Sequence, residues 1–598
     1  MTGSKEYRQM KIGLAQVKPK KSDLQSNIAK IRKVIAKFSE ETDIIVFSEA
    51  NLTGYFLEGG VLEASLSAGE LVEMLGPPPK NSPDVVLGFY ENDRDGPFNS
   101  VSYLEASSNQ FKVKHVHRKL FLPTYGVFDE ARFVRPGTDV AAFSTRHGRI
   151  GLLICEDMWH SLPSTILALQ GAELIIGVSA SPARDFLKDG DGLPGNLKRW
   201  DTLVPSIALE HGIFVAVSQL VGSEGGKIFP GGSIISSPEG SIIARAPLME
   251  EGVTLATLSN ASIARARNKT PLLSDLERAL PDLQRCLLET RKMGSGKSFP
   301  VNPVPGEMLE SVDIRPKERF DTNFETENIF GLDLELVEKV LIEFIRDEVI
   351  RNRGFEKAVI GISGGVDSSV TLYLAVAALG AENVVGIKMP YSTSSKESSD
   401  HADLVLNATG TQGNTVDISK SVNAYVEQFE KEITPLRRGN LAARFRSLVL
   451  FDQSAKLNAL PLGTGNKSER LLGYYTWHAD DSPPINPLGD LFKTQVWTLA
   501  KHLGVPDVVV KKPASADLVA GVNDEDELGI SYEEADPILY RFLEGYKPDH
   551  LKNQGFNSVQ VDLVWTHLSK SHWKRELPTV AMMSSSAIGD FYLRPKDY

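Results

Sequence analysis

The chain reads as an α/β protein built from two large domains, and three observations point that way. Its first half alternates strand-like apolar runs with amphipathic helical stretches, the pattern of layered α/β domains. Further on, the apolar run Ala358-Val359-Ile360-Gly361-Ile362 leads into a glycine turn, a helix-like stretch at 370–379 and a second strand-like run at 383–389. Between the halves, residues 293–323 turn polar and rich in Pro and Gly, which reads as a linker. At 598 residues the chain exceeds a single core and suits two large domains or three smaller ones.

In chain order, strands are expected at 11–16, 43–48, 84–89, 100–105, 111–117, 149–154, 174–179, 214–219 and 252–257. Helices are expected at 22–38 and 164–170, with a charged helical segment at 273–292 closing the first domain. The division that follows is 1–292, a linker at 293–328, and 329–598. Within the linker, Gly294-Ser295-Gly296-Lys297-Ser298 matches the end of a Walker A loop. The leading glycine is absent, because Arg291 holds its place, and a helix rather than a strand precedes it, so this string is expected not to bind phosphate.

Composition excludes several classes. The chain is 41% apolar and 24% charged with a net charge of −12, an ordinary globular balance that argues against nucleic acid as the main partner. Two cysteines, Cys155 and Cys286, make neither a disulfide framework nor a cysteine-based zinc site. The first ten residues lack the apolar core of a signal peptide, and no apolar run approaches the ~18 residues of a membrane span. A cytoplasmic, reducing location is expected.

The string Ser363-Gly364-Gly365-Val366-Asp367-Ser368-Ser369 carries the most chemistry. A strand, a tight glycine turn and a helix start aim backbone N–H groups at one point, which suits a phosphate. The serines add hydroxyl donors, and Asp367 can reach a magnesium ion on the phosphates. The pattern SGGxDS resembles the signature of ATP pyrophosphatases, which cleave ATP to AMP and pyrophosphate while adenylylating a substrate.

In the first half, Glu49 ends the run Ile44-Ile45-Val46-Phe47-Ser48, Lys119 follows the strand-like 111–117, and Cys155 ends Ile150-Gly151-Leu152-Leu153-Ile154. Ligands of open α/β sheets sit at the carboxyl ends of strands, so such side chains can share a crevice. A lone cysteine after a strand is ordinarily a small buried hydrophobe. Three strings in order weigh against that here: Ser48-Glu49-Ala50-Asn51-Leu52-Thr53-Gly54-Tyr55, then Arg118-Lys119 leading to Glu130, then Cys155-Glu156-Asp157. With Phe229-Pro230-Gly231-Gly232-Ser233, they resemble the nitrilase family of carbon–nitrogen hydrolases over roughly 10–291. The resemblance implies a four-layer α-β-β-α sandwich, with Cys155 as nucleophile, Glu49 as general base, Lys119 stabilising the tetrahedral intermediate and Glu130 as a second, positioning carboxylate. The chemistry agrees: a thiol titrating near pH 8.5 needs a neighbouring base, and a cation offsets the oxyanion. Tyr125, in Tyr125-Gly126-Val127-Phe128-Asp129-Glu130, and Ser181, in Ser179-Ala180-Ser181-Pro182, resemble the glutamine contacts of the glutaminase branch. The basic residue often found six positions after that serine is Leu187 here, beside Lys188, and this contact stays open.

The second half holds four more strings: Asn440-Leu441-Ala442-Ala443-Arg444-Phe445-Arg446, Gly463-Thr464-Gly465-Asn466-Lys467-Ser468-Glu469, Asn486-Pro487-Leu488-Gly489-Asp490-Leu491-Phe492-Lys493, and Asp524-Glu525-Asp526-Glu527-Leu528-Gly529. Taken singly, the first reads as a capped helix start and the last as a solvated acidic turn. In this order after SGGxDS they resemble the NAD synthetase family from about 329 to 578, which implies a Rossmann-like, doubly wound ATP-pyrophosphatase domain. By that resemblance Ser363, Gly364, Gly365, Asp367, Ser368, Ser369, Thr464 and Lys493 would hold ATP. Asn440, Glu469, Asp480 and Lys574 would bind deamido-NAD, and Asp367 with Glu469 would bind magnesium. The sequence departs from the family pattern at His478-Ala479-Asp480, where a glycine usually precedes the aspartate, and at Ser571-His572-Trp573-Lys574-Arg575, where the histidine is displaced by one.

The pair of domains resembles the glutamine-dependent members of that family. The resemblance implies ATP-dependent amidation of deamido-NAD with ammonia from glutamine, Mg2+ accompanying ATP, and no tightly bound organic cofactor. It also implies an internal ammonia tunnel and homo-oligomers built through the synthetase domain. The partners expected are deamido-NAD, ATP and glutamine, with neither nucleic acid nor membrane. Two alternatives stay open: another ATP-pyrophosphatase amidotransferase of the GMP synthetase kind, and a non-catalytic scaffold.

Overall fold

The structure, a computed structural model, describes residues 8–57, 60–186, 192–292, 330–514 and 523–576. Among the described residues, fourteen strands of the first half run in chain order as β1 (Gln9–Gln16), β2 (Ile44–Phe47), β3 (Asp84–Asp93), β4 (Gly96–Ala106), β5 (Phe111–Arg118), β6 (Phe143–Thr145), β7 (Gly148–Ile154), β8 (Leu174–Ser179), β9 (Phe214–Gln219), β10 (Val221–Glu224), β11 (Lys227–Pro230), β12 (Ile234–Ser236), β13 (Ile242–Arg245) and β14 (Gly252–Ser259). Two six-stranded sheets result, ordered β14-β1-β2-β3-β4-β5 and β13-β12-β9-β8-β7-β6, and β10 and β11 form a separate hairpin. The nine expected strands all form.

Side-chain alternation explains why the sheets stack. On β2, Ile44 and Val46 face the second sheet and share a core with Leu152 and Ile154 of β7 and Val178 of β8. Ile45 and Phe47 point the other way, against Ile28, Ile31 and Ile35 of helix Leu24–Lys37 and Leu71 and Leu75 of helix Ala68–Leu75. Successive side chains of a strand face opposite sides, so an unbroken apolar run is a strand covered on both faces. Asp23 starts the first of these helices by accepting the Ser26 N–H at 3.1 Å. Helices Ser161–Leu169 and Gly195–His211 cover the far side of the second sheet through Leu167, Trp200 and Val204, which completes four layers, α-β-β-α.

The second half centres on a four-stranded sheet of β15 (Lys357–Gly361), β16 (Val384–Lys388), β17 (Gln412–Thr415) and β18 (Ala459–Leu462), all parallel, in the order β17-β16-β15-β18. Helices Leu334–Arg346, Val366–Leu379 and Lys493–His502 pack on one face, and helix Pro435–Leu457 packs on the other. The sheet is therefore doubly wound, and the chain reverses its direction of travel across the sheet at β15. A helical cluster around Tyr532, Ile538, Leu551 and Val564 adjoins it.

Several local expectations are corrected. The helix after the glycine turn begins at Val366 rather than 370, with Gly365 as its cap, so Asp367 lies in the first turn. Asn440 sits inside helix Pro435–Leu457 instead of at a helix start, since Thr434 caps that helix. Asp524 is buried at the start of a short helix, Asp524–Leu528, not in a solvated turn. The linker, including the Walker-like string, lies outside the described residues.

The two halves meet. Phe186, Ile228, Leu248 and Met249 pack against Leu336 and Val340, and Lys18 pairs with Glu343 at 2.8 Å and Asp347 at 3.5 Å.

Candidate active sites

At the carboxyl ends of β2, β5 and β7 the first sandwich gathers Glu49, Lys119 and Cys155. Glu49 and Lys119 are wholly buried. Gly88 allows this approach: a Cβ there would lie 2.5 Å from the Ser48 carbonyl oxygen and 2.8 Å from Glu49 Cα. Lys119 Nζ donates to Glu49 Oε1 at 2.8 Å and to Glu130 Oε1 at 2.7 Å. Asn99 Nδ2 also donates to Glu49 Oε1, at 2.8 Å, and the Ala180 N–H donates to Oε2 at 2.6 Å. Tyr55 donates its hydroxyl to Glu130 Oε1, while Glu130 Oε2 is buried without a hydrogen-bond partner.

Cys155 follows β7 directly, in a left-handed conformation (φ 43°), and opens the 3-10 turn Cys155–Trp159. Such backbone costs an L-residue energy and persists only where its surroundings enforce it. The Ser179 hydroxyl donates to its Sγ at 3.3 Å. Burial, then the Glu49 charge, holds the thiol well above the ordinary cysteine range, with Lys119 working against them. Burial also pushes the Glu130 carboxyl up to about 7; Lys119 opposes this and the Glu49 charge adds to it. For Lys119, burial disfavours the ammonium, but Glu130 and Glu49 outweigh it and keep the lysine charged.

A protonated thiol, a carboxylate able to take its proton and a fixed ammonium are the parts needed to attack an amide carbon and stabilise the oxyanion. Tyr125 is 56% exposed, its hydroxyl donating at 2.8 Å to Oε2 of Glu156, the residue after Cys155. Ser181 Oγ accepts from Asn196 Nδ2 at 3.0 Å. Leu187 and Lys188 lie outside the described residues, whereas the Arg184 guanidinium sits 5.6 Å from the Phe128 ring centroid on the Tyr125 side.

In the second half, Ser363, Gly365, Asp367, Ser368, Thr464, Glu469, Asp480 and Lys493 line one cavity of about 690 Å3. Gly364 turns with φ 78°, and a Cβ there would meet the Ser398 carbonyl oxygen at 2.1 Å, so no other residue fits. Within the loop, Ser363 Oγ accepts the Gly365 N–H at 3.2 Å, and Ser368 and Ser369 donate to the Gly365 carbonyl at 3.1 and 2.8 Å. Ser369 is fully buried beneath the loop.

Lys493 Nζ donates to Asp367 Oδ2 at 2.5 Å and Glu469 Oε1 at 3.2 Å. Asn466 Nδ2 donates to Asp367 Oδ1 at 2.9 Å. Burial, opposed by Lys493 and reinforced by Asp367 and Asp524, raises Glu469 to about 8. Among the described residues no three His, Cys, Asp or Glu side chains are grouped to hold a metal ion. The carboxylates of Asp367 and Glu469, which converge on the Lys493 ammonium, are hard oxygen donors of the kind a divalent cation takes.

Asn440 and Lys574 stand behind the cavity wall. Asn440 Oδ1 accepts the Thr476 hydroxyl at 2.8 Å, and Lys574 donates to the carbonyls of Gly473 and Tyr475 at 2.7 and 2.9 Å. Asp480 Oδ2 accepts the Thr476 N–H at 2.7 Å. The turn without its usual glycine is made by His478, which takes φ 58° in place of Ala479. His572 is exposed, its Nδ1 facing the Ser569 carbonyl.

Asn99 carries no motif and is not legible in the sequence. Tyr55, His117, Asp157, Ser179 and Asn466 fall inside or beside the strings that mark the sites, but the sequence assigns them no role.

Fold and sites together define a carbon–nitrogen hydrolase joined to an adenylating synthetase. Family models agree: carbon-nitrogen hydrolase matches residues 11–268, and NAD synthase matches 337–578. The chain belongs to the glutamine-dependent NAD(+) synthetases. It is 32% identical to the "Glutamine-dependent NAD(+) synthetase" of Aquifex aeolicus, over 98% of this chain and 99% of that one. The protein of the same name from Thermotoga maritima is 30% identical over 98% of each. The second half alone is 44% identical to an NH(3)-dependent NAD(+) synthetase of Trichlorobacter lovleyi, over 45% of this chain and 98% of that protein. A solved glutamine-dependent NAD+ synthetase from Acinetobacter baumannii shares the fold, with TM-score 0.67 and 24% identity over 96% of each chain.

Proposed function

We propose that this chain is a glutamine-hydrolysing ligase that makes NAD by amidating deamido-NAD with ATP. The observation that carries the reading is the fixed Lys119 ammonium between Glu49 and Glu130 beside Cys155, in the same chain as a phosphate-suited loop facing Lys493. The first half alone offers ammonia release, and the second alone matches the full length of ammonia-using relatives.

In the first site, Glu49 takes the Cys155 proton as Sγ bonds to the side-chain amide carbon of glutamine. Lys119 and its neighbours offset the oxyanion. The C–N bond breaks as Glu49 returns the proton to the departing ammonia, and water then hydrolyses the thioester to glutamate. Glu130 holds Lys119 in place, and Tyr125 and Ser181 contact the substrate. In the second site, Ser363, Gly364, Gly365, Ser368 and Ser369 form the loop that cradles the ATP phosphates, with Thr464 and Lys493 completing the contact. Magnesium, held by Asp367 and Glu469, would neutralise phosphate charge. The nicotinate carboxylate attacks the α-phosphorus and pyrophosphate leaves; ammonia then displaces AMP to give NAD. Asn440, Asp480 and Lys574 serve the dinucleotide through the 473–480 segment they organise.

The reading includes a cytoplasmic location and homo-oligomers formed through the second half. Phe429, Leu436 and Leu448, more than 60% exposed on neighbouring helices, support the latter. The deciding assay supplies ATP and glutamine with deamido-NAD, or with the precursors of GMP or asparagine. NAD formation with AMP release from deamido-NAD alone is expected; turnover of another acceptor instead would refute the reading.

A further inference from the structure

We propose that Asp157 is a positioning residue that holds Lys119 and Cys155 in register with each other. This inference rests on the reading of the first site given above. Asp157 is completely buried, and its bonds run to the chain around the two reacting groups. Its Oδ1 accepts the backbone N–H groups of Leu120 at 2.9 Å and Phe121 at 3.1 Å, directly after Lys119. Its Oδ2 accepts the N–H of Ile154, the residue before Cys155, at 3.1 Å. Oδ2 also accepts from Nε2 of His117, two residues before Lys119, at 2.8 Å.

One carboxylate thus bonds to chain on both sides of the lysine and to the peptide that enters the left-handed cysteine. Four donors converge on two oxygens, and a carboxylate accepts at both. The arrangement resists the two motions that would separate ammonium from thiol: sliding of 117–121 along β5 and unwinding of the Cys155 turn. His117 is 3% exposed and takes its orientation from the same carboxylate.

An asparagine at 157 has one accepting oxygen and one donating NH2, so it satisfies one pair of donors and opposes the other. A misplacement of about 1 Å can cost on the order of 100-fold in rate. The test uses the full chain and reads glutamate release, NAD formation with ammonium salt, and the thermal unfolding midpoint.

For Asp157→Asn we expect kcat for glutamine hydrolysis to fall by about 10- to 100-fold. KM for glutamine should stay within about threefold and ammonium-driven synthesis within about twofold. His117→Asn, which leaves the three backbone bonds, should show a smaller fall of the same kind. The double variant should be no worse than Asp157→Asn, because both changes act on one unit. A folded Asp157→Asn protein with wild-type kcat, with KM raised alone, or with both activities lowered in parallel would overturn the proposal. If Asp157→Asn does not fold, His117→Asn decides: an unchanged kcat refutes the proposal and a lowered kcat at constant KM supports it. Failure of the underlying reading looks different, since glutamine hydrolysis would then survive Cys155→Ala.

Discussion

Glu130 carries its two oxygens in opposite situations, one bonded to Lys119 and Tyr55 and the other buried alone. A proton on the lone oxygen relieves that site, in keeping with a carboxyl raised to about 7. The sign for stability follows: the folded state holds this proton more tightly than the unfolded chain. The contribution is therefore full below the ordinary carboxylate range and is lost as pH rises through about 7. The sign for activity is opposite. Ionised Glu130 draws the Lys119 charge toward itself and leaves Glu49 a better base, so glutamine hydrolysis should climb through pH 7. In Glu130→Gln that step should vanish from the pH–rate profile; an unchanged step would show that another group titrates. Cys155→Ala should abolish glutamine-driven NAD synthesis and leave ammonium-driven synthesis within about twofold, with typical nucleophile losses far exceeding assay noise. Loss of both activities in a folded variant would contradict the two-site arrangement. That Glu49, Lys119 and Cys155 share one crevice was legible because each ends or follows a strand-like run and belongs to one of three strings that occur in order. Asn99 and Ser179 were not, because a polar residue inside a strand declares its face only once the sheet is assembled.

The helix Val366–Leu379 shows how an element can hold a charge in place. Its first turn bears Asp367 where unpaired N–H groups favour an anion, and Lys493 and Asn466 hold the carboxylate from outside. Asp367→Asn should cripple NAD synthesis from either nitrogen source, while glutamine hydrolysis remains measurable. AMP release with ammonium at sub-saturating magnesium is the decisive reading, and wild-type release would contradict the assigned role of the loop. The sequence pattern sets the start of this helix four residues late, because Gly, Asp and Ser are poor helix formers that a cap position favours. Strands β6 and β10 to β13 escaped for a different reason. At three or four residues each they are too short for a period to be read, and only pairing with a neighbouring strand creates them.

At the scale of the molecule, the contact between the halves was invisible in the sequence, since Lys18 and Asp347 lie 329 residues apart. Lys18, almost wholly buried, pairs with both Asp347 and Glu343 and so reaches from one domain onto the helical segment of the other. Removing the ammonium leaves two carboxylates with less compensation in a poorly solvated place. Lys18→Met should cost on the order of 3 kcal/mol, read as a lower calorimetric unfolding midpoint at neutral pH. An unchanged midpoint would mean that Arg346 and Arg351, the remaining partners, suffice. The fold class of each half was readable, because each repeats its own strand–helix logic, but the mutual orientation depends on these few distant contacts.

The burial that keeps Cys155 protonated also sorts the two thiols of the chain by their availability to reagents. Cys286 lies exposed on helix Leu272–Lys292, while Cys155 is enclosed and reluctant to ionise. A disulfide-forming dye should therefore titrate one thiol per native chain and two after denaturation. Two fast thiols in the native protein would contradict the enclosed thiol. A fluorophore attached under native conditions should land on Cys286, which makes the protein a ready subject for distance and rotation measurements with glutamine turnover intact.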